Sequence, residues 1–199
     1  MTESVTARKR ALARADWVEA AMAALVEGGV AAVAVEPLAA QLGATKGSFY
    51  HHFSNREALV AAALEEWERR DTLEVRERLQ RISDPRARIH AVMTAAFTHR
   101  DGGVRDAALL ASARDPLVRP VVERASALRV RYLADTYVEL GLSRPQARRR
   151  ALLTSAAYLG LFSYVRGLDV ALGERELQAL ADELLALFVP TEKLREERG

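Results

Sequence analysis

The feature that most constrains the fold of this chain is Gly43, which separates two short helical segments. Residues 36–42 predict a helix of under two turns, because their apolar members fall on one face. Gly43 supplies the positive φ that ends such a helix. Thr45 can cap a second helix, whose Phe49 and Phe53 are four residues apart and point into the core. Two short helices joined in this way predict a helix-turn-helix, in which the second helix enters the major groove of DNA.

The outer face of the second helix carries polar groups in place of another apolar stripe. Gly47 costs about 1 kcal/mol relative to alanine inside a helix, which makes sense if the backbone must approach another molecule closely. The neighbouring hydroxyl, lysine and imidazole side chains suit a polar, anionic partner. We expect Thr45, Lys46 and Ser48 to face base edges. The full set of predicted DNA-binding residues is Thr45, Lys46, Gly47, Ser48, Tyr50, His51 and Arg56.

A capping box follows at residues 54–57, Ser-Asn-Arg-Glu. Ser54 is expected to cap a further helix, with Glu57 reaching back to the start of it. Arg56 then lies in the exposed first turn, beside free backbone N–H groups. We therefore expect Arg56 to hold a phosphate, together with Tyr50 and His51.

Residues 15–67 resemble the DNA-binding domain of the tetracycline-repressor (TetR) family of bacterial one-component regulators. The resemblance rests on Leu25–Gly29, Leu38-Ala39, Gly43, the run Thr45–Tyr50, His52-Phe53 and the spacing from Phe53 to Leu59. It implies a homodimeric repressor that a small-molecule effector releases from double-stranded DNA. Two positions depart from the family pattern. Val33-Ala34-Val35 offers no hydroxyl where the family often has a phosphate-contacting threonine, and Arg56 replaces the usual lysine.

Overall charge does not by itself indicate nucleic-acid binding. The net charge of the 199 residues is +2, and six basic side chains balance six acidic ones in residues 1–60. The basic residues, however, concentrate in an N-terminal arm, residues 1–14, and at the ends of helices. That arm either follows a DNA groove or is a solvated tail. It has no apolar segment typical of a secretory signal, so we expect a cytoplasmic, nucleoid-associated bacterial protein.

The rest of the chain predicts one further all-α domain, residues 68–190, followed by a polar tail, residues 191–199. Helical periodicity continues throughout, without alternating strand patterns or an internal repeat. One helix should end near Asp101–Gly103, and a short helix should span about residues 104–113. The fold class is therefore all-α, with an N-terminal three-helix domain and a C-terminal helical domain for ligand binding and dimerisation.

A segment of fifteen residues without a charge, 151–165, predicts the subunit interface. It is too short and too rich in hydroxyls for a membrane span. A helix that is apolar all round must be buried all round, and its second face is expected to meet another subunit. The alternative is a central core helix in a monomer. The predicted interface residues on this helix and the last one are Ala156, Ala157, Gly160, Leu177, Leu180 and Leu184.

The C-terminal domain should also enclose a pocket, as the family resemblance implies. The aromatic residues that could line it are Phe97, Tyr132, Tyr137, Tyr158 and Phe162. Aromatic residues in such positions are more often plain core. Because few buried charges are obvious, we expect a largely apolar or aromatic effector, and no cofactor.

An enzyme and a helical adaptor are the two alternatives to a regulator. The four histidines do not have the spacing of a helical metal pair, and no cysteine is present, so we expect neither a metal site nor a catalytic thiol. Neither a Gly-rich phosphate loop nor a nucleophile elbow occurs, and we expect no enzymatic activity. A non-DNA-binding helical adaptor or ligand-binding dimer is the other alternative, but it leaves Gly47 and its polar neighbours unexplained.

Overall fold

A computed structural model describes residues 12–189, and within this range ten α-helices and no strand are found. The helices are α1 Arg14–Ala32, α2 Val35–Leu42, α3 Lys46–His52, α4 Arg56–Glu68, α5 Glu74–Gln80, α6 Pro85–Thr98, α7 Arg100–Ala111, α8 Arg119–Glu139, α9 Arg144–Gly167 and α10 Glu174–Phe188. The predicted all-α class is therefore confirmed. Residues 191–199 and most of the predicted arm, residues 1–14, lie outside the described range.

The chain divides into two compact units between Ala63 and Leu64, inside α4. The N-terminal unit packs α1, α2 and α3 around aromatic side chains. The rings of Trp17 and Phe49 meet edge to face at 5.4 Å, and Phe49 stacks on Phe53 at 5.7 Å. These buried rings fix the inner face of α3 and leave its other face outward.

The start of α4 differs from the sequence prediction. Asn55, not Ser54, is the cap, because its Oδ1 accepts a hydrogen bond from the Ala58 backbone N–H at 2.8 Å. The helix accordingly begins at Arg56, one residue later than the predicted capping box required. Asparagine and serine are about equally good caps, so the sequence alone did not separate them.

A π-helical turn, Arg69–Leu73, joins α4 to α5. Turns of this kind inside longer helices often occur at functional sites. Its Asp71 and Thr72 face the interior of the C-terminal unit and line the cavity described below.

The predicted helix boundary near Asp101–Gly103 is wrong. The structure ends α6 at Thr98 and starts α7 at Arg100, so both glycines lie inside a helix. Gly103 is buried under the ring of Phe162 from α9, where a side chain would not fit. Gly103 therefore allows α7 to pack closely against Phe162 of α9, and it does not mark the end of a helix.

Side-chain hydrogen bonds mark the start of two helices of the C-terminal unit. Asp84 accepts hydrogen bonds from the backbone N–H groups of Arg86 and Ala87 and starts α6. The Gln146 side chain accepts from the Ser143 N–H at 3.1 Å and starts α9. The core of this unit is formed mainly by α6, α8, α9 and α10.

Candidate nucleic-acid interface and ligand cavity

The turn between α2 and α3 has the backbone geometry that the sequence predicted. Gly43 adopts a left-handed conformation, with φ 60° and ψ 36°, and Ala44 N–H donates to the Ala39 carbonyl at 2.8 Å. The Thr45 hydroxyl accepts from Ser48 N–H at 3.2 Å and caps α3. The turn thereby satisfies the backbone at both helix ends and fixes the direction of α3.

Most of the residues predicted to bind DNA lie together on the exposed side of α3 and its cap. Thr45, Lys46, Gly47 and His51 are exposed, and Ser48 is partly so. Tyr50 is 61% exposed, a large fraction for an aromatic side chain. The structure thus brings these six residues together, while their roles toward DNA stay predictions.

Gly47 has no packing reason to be a glycine. Among the described residues, a Cβ at this position would meet only Thr45 Oγ1, at the ordinary contact distance of 3.6 Å. Its backbone φ does not lie in the left-handed region, where Gly29, Gly43 and Gly141 are found. Packing among the described residues therefore does not require a glycine at this position of the helix.

Lys46 forms an ion pair with Glu36 of α2, with 2.5 Å between Nζ and Oε1. Both side chains are largely exposed. The hydrogen bond between them raises the pKa of Lys46 and lowers that of Glu36. A partner that competes for Lys46 must displace an exposed carboxylate, which is a weak competitor in water.

Arg56 is placed differently from the exposed phosphate ligand that the sequence suggested. Its Nε donates to the Val33 carbonyl at 2.5 Å, one Nη donates to the Val30 carbonyl, and the other Nη lies 3.6 Å from Glu57 Oε1. These bonds tie the start of α4 to the end of α1. The first role of Arg56 is thus internal, and its contact with phosphate stays a prediction.

His52 makes a contact that sequence reasoning missed. Its Nε2 lies 3.1 Å from the Leu12 carbonyl, at the first described residue of the chain. No local sequence signal reports this pairing, because the two residues are forty positions apart. The contact anchors the segment that leads from the N-terminal arm into α1.

The C-terminal unit contains a cavity of about 760 Å³. Phe97, Tyr132 and Tyr158, three of the five predicted aromatic residues, line it. Apolar side chains make up much of the remaining wall: Val75, Leu79, Val92, Met93, Val122, Leu128, Leu133, Leu159 and Leu172. A cavity of this size and composition is typical of a small-molecule site.

Tyr137 and Phe162 do not line this cavity. Tyr137 is fully buried, and its hydroxyl lies 2.9 Å from Thr154 Oγ1. Phe162 is also fully buried, between Gly103 and the rings of Phe97 and Tyr158. The structure therefore places these two residues in the core. The Phe162 ring contacts the rings of Phe97 and Tyr158, which line the cavity.

The expectation of few buried charges is wrong for this cavity. Asp106 is buried, and its carboxylate accepts from Arg129 Nη1 at 2.6 Å, Trp67 Nε1 at 2.8 Å and Tyr158 OH at 3.0 Å. Burial, with the nearby Asp106 charge, raises the pKa of Tyr158 well above its usual value. The hydroxyl therefore stays protonated and acts as a donor to Asp106.

Arg129 could have been recognised from the sequence. It lies four residues after Ala125 and four before Leu133, on the stripe of α8 that is buried in the structure. A charge at a buried helical position predicts a buried partner. The partner itself, Asp106, could not be identified, because it belongs to another helix.

The α9 helix leaves part of its uncharged face uncovered in the single chain. Leu152, Leu153 and Tyr164 are exposed, Leu153 by 57%, together with Ala156 and Gly160. Ala157, Leu180 and Leu184 are partly exposed. Leu177, a predicted interface residue, is 2% exposed and belongs to the core of its own chain. It is therefore not available to a second subunit.

Neither a metal-binding cluster nor a membrane-spanning helix is found within residues 12–189. The described histidines, aspartates and glutamates form no group of three or more that could hold a metal ion. Among the helices of this range, none has the length and apolar character needed to cross a membrane.

Comparison with a family model links the N-terminal unit to known regulators. Residues 18–63 match the model described as bacterial regulatory proteins, tetR family. This range contains the α2–α3 turn and the exposed face of α3, and it confirms the resemblance predicted from the sequence. Among curated proteins, none matches this sequence.

Solved structures share the fold over most of the chain. A transcriptional regulator from Rhodococcus sp. Rha1 is 20% identical, with a TM-score of 0.73 over 89% of this chain and 96% of that one. FadR from Bacillus subtilis, solved with stearoyl-CoA, is 18% identical, with a TM-score of 0.69 over 89% and 98%. AibR, solved with isovaleryl coenzyme A and operator DNA, is 20% identical, with a TM-score of 0.66 over 89% and 99%. The chain therefore has a TetR-like fold, with a helix-turn-helix unit followed by a helical unit.

Proposed function

We propose that this chain, which carries a helix-turn-helix unit of the TetR family, is a ligand-responsive transcriptional regulator, and specifically a repressor that a small, largely apolar effector releases from a palindromic operator. The observation that carries the proposal is the exposed face of α3. It gathers hydroxyls, a lysine and Tyr50 around Gly47, a glycine that internal packing does not require. A helix built in this way suits close contact with a polar, anionic surface.

In this proposal Thr45, Lys46 and Ser48 face base edges, while Tyr50 and His51 hold phosphates. Lys46 leaves Glu36 for the edge of a base such as guanine, since an exposed ion pair is easily exchanged. Arg56 has a double role. It braces α1 against α4, and its remaining N–H groups approach the DNA backbone.

The regulator acts as a homodimer through the exposed face of α9. Leu152, Leu153 and Tyr164 form an exposed apolar patch, which a second subunit would bury. The small residues Ala156 and Gly160 permit a helix of that subunit to approach closely. Two-fold symmetry then presents two α3 helices to half-sites about 34–36 Å apart, or a multiple of that distance, which requires a palindromic operator.

The effector occupies the cavity of about 760 Å³ in the C-terminal unit. Structures with the same fold bind stearoyl-CoA or isovaleryl coenzyme A, ligands with an apolar acyl chain. The apolar wall formed by Val75, Leu79 and Met93 suits a ligand part of this kind. Release from DNA follows if the effector binds the DNA-incompetent state more tightly than the DNA-bound state.

The experiment that tests the proposal is selection of binding sites from random duplex DNA with the purified full chain. The selected duplex is then titrated by fluorescence anisotropy at two salt concentrations. We expect a palindromic consensus, a stoichiometry of one dimer per site and an affinity that falls as salt rises. A folded protein that enriches no sequence would contradict the proposal and favour an adaptor role.

Two variants test the assignment of residues on the selected duplex. Lys46→Ala should change the preference at one base position. Arg56→Ala should weaken binding to all sequences and flatten the salt dependence, and it should also lower stability, because α1 loses its bonds to α4. Identical losses on every sequence for both variants would show that the division of roles is wrong.

A further inference from the structure

Arg149 lies at one end of the exposed face of α9, the face through which the subunits are proposed to meet. It precedes Leu153, Ala156 and Gly160 by four, seven and eleven residues, and these spacings place all four residues on one side of the helix. Arg149 is exposed, and it forms neither a hydrogen bond nor an ion pair within residues 12–189. When a second chain covers this face, the guanidinium loses water and needs an anionic partner.

The α10 helix presents a free carboxylate beside its own exposed apolar residues. Glu183 lies three residues after Leu180 and four before Leu187, which is 69% exposed, so the three share a face. Two other carboxylates of α10 are already engaged. Glu176 accepts a backbone N–H at the start of the helix, and Asp182 accepts from a side chain one turn earlier. Glu183 has no such partner within residues 12–189.

These two charges belong to the same end of the helix pair. Arg150, the neighbour of Arg149, donates from Nη1 to the Phe188 carbonyl at 2.7 Å. The start of α9 therefore lies beside the end of α10, and Glu183 is five residues before Phe188. Arg149 and Glu183 nevertheless form no ion pair in the single chain, so both charges are available to a second subunit.

The two helices also carry opposite net charges. The α9 helix contains five arginines and no acidic residue, whereas α10 contains four acidic residues and one arginine. If α9 of one subunit packed along α9 of the other, arginines would face arginines. Packing of α9 against α10 of the second subunit brings opposite charges together, and like charges across an interface are strongly unfavourable.

We propose that α9 of each subunit packs against α10 of the other, and that Arg149 forms an ion pair with the partner's Glu183. Two-fold symmetry makes this pair twice, because each subunit supplies both residues. The occupant of the exposed face is thus a second copy of this chain, which the charges select and orient. This inference rests on the proposed function, since it names the residues through which the homodimer recognises itself.

The test reverses each charge in a separate protein and then mixes the two proteins. Arg149→Glu and Glu183→Arg each place like charges opposite each other at both pairs of the homodimer. Each protein should therefore have a dimer dissociation constant at least about tenfold higher than the wild type. An equimolar mixture should recover the wild-type constant, because one pair of the mixed dimer is native and the other is reversed.

Analytical ultracentrifugation at low ionic strength measures these constants, since salt screens exposed charges. The matched control is Arg131→Glu, because Arg131 of α8 is likewise exposed and has no partner within residues 12–189. The control should dimerise like the wild type. Unchanged dimerisation of Arg149→Glu, an equal loss in the control, or two weakened proteins that mixing does not restore would each overturn the proposal.

The proposed function and the ion pair fail in different ways. A wild-type protein that is monomeric, or that enriches no operator, would contradict the proposed function. A wild-type dimer that binds its operator but is insensitive to both charge reversals would overturn only the pair of Arg149 and Glu183. Neither substitution removes a hydrogen bond or an ion pair within residues 12–189, and thermal unfolding of each variant checks that it is folded.

Discussion

Gly103 of α7 lies directly against the ring of Phe162 of α9: a Cβ on this glycine would stand 2.3 Å from Phe162 Cδ2. Real side chains essentially never approach so closely, and the ring is itself fully buried among other aromatic rings. The approach of α7 to α9, and with it the aromatic wall behind the cavity, therefore depends on the missing side chain of one residue.

Gly103→Ala should destabilise the protein by about 1–3 kcal/mol, because the new methyl group must displace a buried ring. The neighbouring Gly102→Ala is a matched control, since within residues 12–189 its Cβ would meet only the Cβ of His99, at 3.9 Å. The control should be neutral or stabilising, through helix propensity. Urea denaturation of both variants checks the prediction, which would be wrong if both changed the free energy of unfolding alike.

Gly47→Ala should separate stability from DNA binding. The added methyl group has room in α3, so the free energy of unfolding should rise by up to about 1 kcal/mol. Operator affinity should nevertheless fall by about tenfold, the scale of one lost specific contact. Anisotropy titration measures the second effect, and Gly102→Ala serves again as the control, with unchanged affinity. A Gly47→Ala protein that binds the operator like the wild type would show that the α3 backbone does not approach the DNA closely at this position.

Gly160→Leu should weaken the dimer without harming the subunit. Within residues 12–189 nothing lies within 4 Å of a Cβ at Gly160 or at Gly167, so both positions of α9 can accept a side chain. If Gly160 permits close helix approach between subunits, the leucine should raise the dimer dissociation constant by about tenfold or more. Analytical ultracentrifugation measures this constant. Gly167→Leu, near the end of α9, should leave the dissociation constant unchanged. An equal rise in both variants would show that the subunit interface is not centred on Gly160.

Asp71 should make stability depend on pH in an unusual direction. Burial raises its folded-state pKa above the ordinary 3.8, so the protonated side chain is favoured by folding. That contribution is fully present below pH 3.8 and is lost as the pH rises through the folded pKa. Asp71→Asn, which resembles the protonated form, should therefore be more stable than the wild type at pH 7.

The difference between Asp71→Asn and the wild type should shrink as the pH is lowered toward 3.8. Urea denaturation of both proteins at several pH values measures it. Asp101→Asn, at an exposed position of α7, is the control for a general change in charge. A wild type more stable than Asp71→Asn at pH 7 would show that the ion pair with Arg105, whose Nε lies 3.0 Å from Asp71 Oδ2, outweighs the cost of burial.

Local signals predicted the N-terminal unit well. Gly43 and the Thr45 cap are decided by a few neighbouring residues, and their geometry follows the pattern closely. Where two neighbouring residues could serve equally well, as Ser54 and Asn55 could, the sequence alone left the choice open.

Long-range partners were beyond sequence reasoning. Arg56 was expected to be free for phosphate, but two backbone carbonyls of α1 accept its hydrogen bonds. Tyr137 was one candidate for the pocket lining, but its hydroxyl pairs with Thr154 in the core. The position of a side chain depends on the residues that it contacts in the folded protein. Because those residues are distant in the chain, local sequence patterns do not identify them.

The sequence by itself determined an all-α chain, a helix-turn-helix centred on Gly43 and an exposed polar face on α3. Helical periodicity, capping and turn formation depend on residues a few positions apart, so they can be predicted from the sequence alone. The tertiary structure alone decided that Gly103 receives Phe162, that Asp106 and Arg129 share a buried network, and that Asp71 and Arg105 meet at a cavity. These features arise where separate helices pack, because burial creates the need for each partner and the packing selects which residue supplies it.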